Sequence, residues 1–157
     1  MHQDTKIFIF VGQLLIKSRI MKQLEEIGKI IVHEAFIIHK DLGVGLYESV
    51  YEAILVHRLR KAGLKVTSQV AFPVIYDGIR FDKAFIIDLL VEDQIILELK
   101  STEKINTAHE KQILTYLHLT NKPLGYIINF GAPYFKQGIK RMIHNYPTIT
   151  HPNTSMK

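Results

Sequence analysis

The chain has 157 residues, no cysteine and a formal net charge of +5. A domain of this length hides roughly 70% of the surface of its unfolded chain, so neither a second ordinary domain nor a disulfide or thiolate-zinc scaffold is expected. Without cysteine, any metal ligands or nucleophiles must be oxygen or imidazole groups. Residues 1–100 carry 13 basic and 13 acidic side chains, whereas residues 101–157 carry 7 and 2. The surplus that would suit a polyanionic partner therefore lies in the last third.

An apolar stretch at residues 7–16 opens the chain. It has about half the length needed to cross a bilayer, and no small-x-small cleavage site follows it, so we expect a cytoplasmic protein with no membrane association. An amphipathic helical pattern begins at Met21. We therefore expect residues 1–21 to be an ill-packed extension, or to precede the natural start. The domain is then predicted at 22–146, with a flexible tail at 147–157.

Hydrophobic periodicity predicts the elements in chain order. Helical spacing predicts two helices, at 22–40 and 47–62. Strand patterns then predict an antiparallel meander at 65–76, 80–91 and 94–101, and Pro73 is typical of an edge strand. A capping-box pattern at residues 107–110 predicts a third helix that ends near Asn121. A last strand is predicted at 124–130, and the segment at 138–144 is short and amphipathic.

The predicted order of elements is α-α-β-β-β-α-β. A strand that follows a helix requires a crossover connection, which gives at least one parallel pair in the sheet. The sequence therefore predicts an α/β fold with a mixed central sheet flanked by helices.

Charged residues interrupt two apolar strands. Asp88 stands among six hydrophobic residues, and Glu98 and Lys100 interrupt a run of four. Burying an unpaired charge costs several kcal/mol, so these side chains need partners, solvent or a metal. A hairpin that turns near Asp93 sets Asp88 opposite Glu98, and period-two alternation puts Lys100 on the same face.

Two facing carboxylates suit Mg²⁺ or Mn²⁺. A lysine beside them could orient a water or stabilise developing negative charge. The same spacing is also compatible with a satisfied structural network of Asp88, Glu98 and Lys100.

Several stretches resemble one known family. They are GLYESVY at 45–51, IHKDLG at 38–43, DLLVE at 88–92, ELKS at 98–101, QILTYL at 112–117 and GYIINFG at 125–131. With Asp88, Glu98 and Lys100 they resemble the PD-(D/E)XK nuclease superfamily, in particular its branch of small prokaryotic proteins called the GxxExxY family. The resemblance covers about residues 25–143 and implies a restriction-endonuclease-like core.

The resemblance also implies roles for individual residues, with the metal ligands Asp88, Glu98 and Glu48 and the catalytic lysine Lys100. Gln112 matches a polar position that orients the acidic cluster or the substrate in several branches. From the residues alone, Glu48 could be an acid favoured by the helix dipole, and Gln112 a surface partner of Tyr116. Tyr51 lies on the apolar helix face, so we expect it to pack there with a tethered hydroxyl.

We predict a phosphodiesterase dependent on Mg²⁺ (or Mn²⁺) that hydrolyses DNA or RNA. Phosphate contacts would come from the basic last third, from Lys104, Lys111, Lys136, Lys140 and Arg141, although such lysines can also only solvate a surface. Two alternatives are a catalytically silent nucleic-acid-binding or protein-interaction module and a hydrolase of small phosphoesters. The histidines lack zinc-ligand spacing and no phosphate-binding glycine motif occurs, so neither zinc nor a nucleotide cofactor is expected.

Overall fold

The computed structural model describes residues 2–148. Three helices lie in this part of the chain: α1 (His2–Leu42), α2 (Glu48–Lys61) and α3 (Thr107–Thr120). Five strands lie there as well: β1 (Val66–Tyr76), β2 (Ile79–Val91), β3 (Ile95–Lys100), β4 (Leu124–Asn129) and β5 (Ile139–Ile143). A single 3-10 turn at Phe135–Gln137 precedes β5. None of the helices among the described residues is both long and apolar enough to cross a membrane.

The strands form one mixed sheet in the order β1-β2-β3-β4-β5. Only β3 and β4 are parallel, because α3 connects them as a crossover. This arrangement confirms the predicted α/β fold and places β1, which carries Pro73, at an edge. The β2–β3 hairpin has the predicted register, with Leu89 facing Leu97 and Leu90 facing Ile96.

Two clusters of buried side chains cover the two faces of the sheet. The α1/α2 core packs the first two helices on one face and includes Leu24, Ile31, Tyr51, Leu55, Leu97 and Leu99. The α3 core packs the third helix on the other face and includes Ile87, Ile96, Ile113, Leu117 and Ile127. Because side chains alternate along a strand, Glu98 and Lys100 share the α3 side of β3 with Ile96.

The start of α1 differs from the predicted one. The helix begins at His2 and not near residue 22, so residues 2–21 extend the helix whose later part packs on the core. Most side chains of this stretch are exposed, for example Phe8 at 79%, and Leu24 is the first fully buried one. The predicted tail falls mostly on residues 149–157, which lie outside the described residues.

Two further predictions near the C-terminal half are corrected. Asn106, not Thr107, caps α3: its side chain accepts a hydrogen bond from the His109 N–H at 3.0 Å, and the His109 ring accepts one from the Asn106 N–H. Asparagine is the stronger N-cap residue, and Glu110 pairs with Lys140 instead. The segment at 138–144 forms the edge strand β5 against β4.

Candidate active site

Asp88 lies where β2 separates from β3. Backbone pairing between these strands stops at Leu89 and Leu97. One carboxylate oxygen of Asp88, Oδ2, accepts a hydrogen bond from the backbone N–H of Leu99 at 2.8 Å. The Asp88 side chain thus accepts the Leu99 N–H, which has no backbone acceptor on β2 once the two strands separate. This contact fixes the carboxylate against β3.

Glu98 and Lys100 form an ion pair on the α3 side of β3. The Lys100 Nζ donates to Glu98 Oε1 at 3.0 Å. Glu98 is only 3% exposed. Its other oxygen, Oε2, is the one buried side-chain polar atom of residues 2–148 that has no hydrogen-bond partner. Leaving a buried acceptor unpaired costs free energy, so this oxygen is where a ligand would stabilise the site.

The electrostatics of these groups are dominated by burial. Burial raises the pKa of Glu98 to about 7, and the charge of Asp88 adds to the rise. Burial also raises the pKa of Asp88, against the opposing hydrogen bond from Leu99. Burial lowers the pKa of Lys100, but its hydrogen bond with Glu98 and the surrounding acids outweigh this and raise it. The carboxylates therefore repel one another and favour a bound proton or cation between them.

Glu48 approaches the same place from the first residue of α2. Burial raises its pKa, the charge of Asp88 raises it further, and a hydrogen bond from the backbone N–H of Ser101 lowers it. Because Ser101 directly follows Lys100, the Glu48 carboxylate lies at the carboxyl end of β3. The charges of Asp88 and Lys100 also act on the pKa of Glu48, which goes beyond what a helix-dipole preference for an acid would require.

The stretch GLYESVY at 45–51 forms the turn before α2 that positions Glu48. Gly45 has φ +106°, a conformation that favours glycine. The Tyr51 hydroxyl donates to the Gly43 carbonyl oxygen at 2.7 Å and accepts from the Leu46 N–H at 3.3 Å. Tyr51 is fully buried, which confirms the prediction of a packed ring with a tethered hydroxyl.

Two polar side chains of α3, Gln112 and Tyr116, face the side of the sheet that carries Glu98. The Gln112 Nε2 donates to the Tyr116 hydroxyl at 2.8 Å, so the predicted helix pair is formed. Burial raises the pKa of Tyr116, and the charges of Glu98 and Asp88 contribute to this rise. Tyr116 therefore lies within electrostatic range of the carboxylates, and Gln112 is linked to the site through its hydrogen bond with Tyr116.

Two polar residues near the site were given no role by the sequence analysis. The Gln69 Nε2 on β1 donates to Glu52 Oε2 on α2 at 2.9 Å. The Ser101 Oγ donates to the Leu46 carbonyl oxygen at 3.1 Å, which ties the turn before α2 to the end of β3. Neither residue stands out by periodicity. Ser101 at least follows the motif lysine directly, whereas Gln69 carries no sequence signal.

A basic pocket of about 440 Å³ lies between the loop after β3 and the 3-10 turn. Three predicted phosphate contacts line it, Lys104, Lys136 and Lys140, together with Glu103. Its base is fixed by Asn129, which is 1% exposed and bonds both the N–H and the carbonyl of Thr102. Because Asn129 pairs with Lys100 across the parallel strands, the pocket lies at the same end of β3 and β4 as Lys100. A buried asparagine in an apolar strand was a usable sequence signal.

The other two predicted phosphate contacts lie outside the basic pocket. Lys111 is exposed on α3. Arg141 donates to Glu25 Oε1 of α1 at 2.6 Å, and its guanidinium lies 4.8 Å from the Tyr146 ring centroid. Because α1 and α3 cover opposite faces, the structure separates Arg141 from Lys140.

The donor set suits a hard divalent cation in its chemistry. Oxygen ligands are what Mg²⁺ and Mn²⁺ prefer, and the unpartnered Oε2 of Glu98 is such a donor beside Asp88. As placed, no three histidine, aspartate or glutamate side chains of residues 2–148 lie close enough together to hold an ion. Lys100 instead occupies the other Glu98 oxygen. Asp88 and Glu98 are the two carboxylates that would hold a cation, and Glu48 would have to move closer to serve as a third ligand.

The family model of the PD-(D/E)XK nuclease superfamily matches residues 25–142. This range includes strands β1 to β4 and β5 up to Met142, together with Glu48, Asp88, Glu98 and Lys100. The chain therefore belongs to the PD-(D/E)XK nuclease superfamily, and its fold is the restriction-endonuclease-like α/β fold. No curated protein and no solved structure is significantly similar to it. Membership of the GxxExxY branch stays a prediction.

Proposed function

We propose that the protein is a metal-dependent phosphodiesterase that cleaves nucleic acid at the carboxyl end of β3. The observation that carries the proposal is the unpartnered Glu98 Oε2, buried beside a second carboxylate and an ammonium group. A purely structural network would be expected to satisfy this oxygen. The superfamily assignment supports the same conclusion, because it identifies a nuclease-like domain.

Each residue has a distinct role in this proposal. Asp88, Glu98 and Glu48 would hold Mg²⁺ or Mn²⁺. When bound, the cation would polarise a phosphoryl oxygen and acidify a water. Lys100 has three N–H donors and gives one to Glu98, so the others can orient that water or stabilise negative charge on the phosphate. Gln112 would fix the Tyr116 hydroxyl beside the reacting group.

The basic pocket would bind phosphates next to the cleaved bond. It lies at the end of β3 and β4 where Lys100 pairs with Asn129, and its lysines would contact the backbone of a DNA or RNA strand without reading sequence. Lys111 on α3 would extend these contacts beyond the pocket, whereas Arg141 pairs with Glu25 on the opposite face and would take no part. A polymeric substrate accounts for this pocket better than a small phosphoester does.

The pocket is tested by the salt dependence of binding. In Lys136→Ala we expect weaker binding of a fluorescent DNA duplex and RNA strand, with a log–log salt slope shallower by about 0.7–0.9 for one lost phosphate contact. Lys65→Ala is the matched control, because Lys65 pairs with Asp93 at the opposite end of the strands. An unchanged slope in Lys136→Ala would contradict the assignment.

The function itself is tested by a substrate panel of plasmid, single-stranded DNA, RNA and a chromogenic phosphodiester, in Mg²⁺ or Mn²⁺. We expect cleavage of a nucleic acid by the wild type and its loss in Asp88→Ala and Lys100→Ala. Asp82→Ala removes an exposed aspartate from the same strand and should cleave normally. Cleavage of the chromogenic ester alone would indicate a hydrolase of small phosphoesters, and equal cleavage by all variants would refute the catalytic assignment.

One observation favours a second candidate, a catalytically silent nucleic-acid-binding or protein-interaction module. Lys100 already pairs with Glu98, and no three-ligand cluster is formed among the described residues. This candidate predicts salt-sensitive binding of nucleic acid without cleavage. Binding would then be unchanged in Asp88→Ala, because no cation has to be held.

A further inference from the structure

Gln69 adopts an unusual backbone conformation in the middle of β1. Its φ is +52°, in the left-handed region that residues with a side chain adopt rarely, and least often inside a strand. Neighbouring positions of β1 pair regularly with β2. Such an isolated deviation persists only where the surrounding structure enforces it, and deviations of this kind concentrate at functional sites.

The deviation coincides with a gap in the β1–β2 ladder. Ser68 pairs with Leu89 and Val70 pairs with Ile87, but Gln69 and Asp88 between them do not pair. The strand also changes face here, because Ile87 packs in the α3 core whereas Leu89 packs in the α1/α2 core. In a regular strand, residues two apart share a face. Asp88 therefore lies at a local distortion, and this distortion lets its carboxylate reach Leu99.

The Gln69 side chain lies between two acids. Its Nε2 donates to Glu52 Oε2 at 2.9 Å, and Gln69 occupies the position opposite Asp88 in the β1–β2 register. At this position the Gln69 carboxamide lowers the pKa of Asp88. A carboxamide NH₂ has two N–H donors and no charge, so it can link two carboxylates without adding a charge to the site. Glu52 lies one helical turn after Glu48, and its charge raises the pKa of Glu48.

We propose that Gln69 is a positioning residue for the carboxylate site, whose amide fixes Asp88 for cation binding and holds Glu52 beside the site. The inference rests on the proposed function, since it assigns Asp88 to a cation. It adds a residue on β1, at the sheet edge, to a site otherwise built from α2, β2, β3 and α3. The strained backbone at Gln69 is then a consequence of orienting the side chains of Gln69 and Asp88 toward the site.

Two variants separate the amide from the backbone. Gln69→Ala removes the amide and leaves a side chain in a left-handed conformation. Gln69→Gly removes the amide and relieves that conformation. We expect both to bind Mn²⁺ about 10–100-fold more weakly than the wild type by calorimetry, the usual cost of removing a residue that orients a metal ligand. We also expect Gln69→Gly to unfold at a higher temperature than Gln69→Ala.

Asp77→Gly is the matched control. Asp77 has φ +48° in the β1–β2 turn, away from the carboxylates, so this variant should gain stability and bind Mn²⁺ like the wild type. If Gln69→Gly binds Mn²⁺ like the wild type while Gln69→Ala does not, only the backbone matters and the inference is wrong. If the wild type binds no Mn²⁺, both the proposed function and the inference are overturned. Wild-type binding with unaffected Gln69 variants overturns the inference alone.

Discussion

Two glutamates, Glu25 and Glu98, face basic side chains under very different conditions. Glu25 on α1 is half exposed, pairs with Arg141 on β5 and also accepts a hydrogen bond from the Tyr146 hydroxyl. These partners lower its pKa, the Tyr146 hydrogen bond most of all. Glu98 is nearly fully buried, shares Lys100 with other acids and leaves one oxygen unpartnered. Its pKa is raised to about 7 by burial.

The Glu25 contacts stabilise the fold. The buried charge of Glu98, in contrast, costs free energy that the rest of the fold has to offset. The ionised form of Glu25 is satisfied, and it holds α1 to the edge of the sheet. The ionised form of Glu98 is unfavourable in the metal-free protein. Groups of this kind, whose pKa is shifted by burial and by like charges, concentrate at functional sites. Stability is commonly lost there in return for activity.

The largest expected effect comes from Glu98→Gln compared with Glu25→Gln. Removing the Glu98 charge should reduce metal-dependent cleavage about 100-fold or more, because several kcal/mol of charge stabilisation depends on it. The same variant should be more stable than the wild type above pH 7, because a neutral amide avoids burying a charge. Glu25→Gln should cleave normally and be slightly less stable. Equal cleavage by the two variants, measured as kcat/KM, would contradict the assignment of Glu98 to the active site and of Glu25 to the fold.

The pH dependence of stability should have opposite signs for the two residues. A folded-state pKa above the ordinary value means that the folded protein binds the proton more tightly. Without metal, stability should therefore fall as pH rises from about 4.5 to about 7 because of Glu98, by up to about 3 kcal/mol. The lowered pKa of Glu25 instead contributes stability above about pH 4.5 that is lost on acidification. Urea unfolding of both Gln variants across this range measures the two contributions, and a Glu98→Gln profile that keeps the wild-type slope would contradict the assignment.

A smaller effect is expected from two tyrosine hydroxyls. Tyr51→Phe removes two part-buried hydrogen bonds, to the Gly43 carbonyl and from the Leu46 N–H, which at about 0.5–1.5 kcal/mol each should cost about 1–3 kcal/mol in the free energy of unfolding. Cleavage should fall as well, because this turn presents Glu48. Tyr146→Phe removes a half-buried hydroxyl from Glu25, where water can replace it, and should cost less than about 1 kcal/mol. Urea denaturation compares them, and a larger loss in Tyr146→Phe would be inconsistent with the two environments.

The smallest effect is expected from deleting residues 1–20, so that the chain starts at Met21. The contacts of α1 with the core begin at Leu24 and Glu25, and the large apolar side chains before them are mostly exposed. Because little apolar surface is withdrawn from water there, the free energy of unfolding should change by less than about 1 kcal/mol. A loss of several kcal/mol on urea unfolding would show that this stretch packs on the domain.

Local sequence patterns indicated the three residues at the centre of the proposed site. Asp88, Glu98 and Lys100 stood out because a charge inside an apolar strand is expensive, and the turn at Asp93 set the β2–β3 register that the structure shows. Both signals are local, so one sequence suffices. Glu48 required the family resemblance, because an acid in the first turn of a helix is otherwise ordinary.

Features that depend on distant contacts could not be predicted in this way. The backbone of Gln69 is distorted by its neighbours across the sheet. A single residue with a left-handed backbone conformation does not change the hydrophobic periodicity of the sequence. Lys140 and Arg141 were grouped as basic residues, but on β5 they contact opposite faces, with Glu110 on α3 and Glu25 on α1. A strand assignment at 138–144 would have separated them by alternation, so the error followed from missing β5.

The central claim is that Asp88, Glu98 and Glu48 form one metal centre beside Lys100. Anomalous diffraction from crystals soaked in Mn²⁺ tests it most directly. We predict a single strong peak about 2.0–2.3 Å from carboxylate oxygens of Asp88 and Glu98, with Glu48 drawn in as the third ligand and the peak absent in Asp88→Ala crystals. A wild-type crystal in which Mn²⁺ binds only elsewhere, or in which the Glu98 Oε2 remains without a cation, would contradict the account.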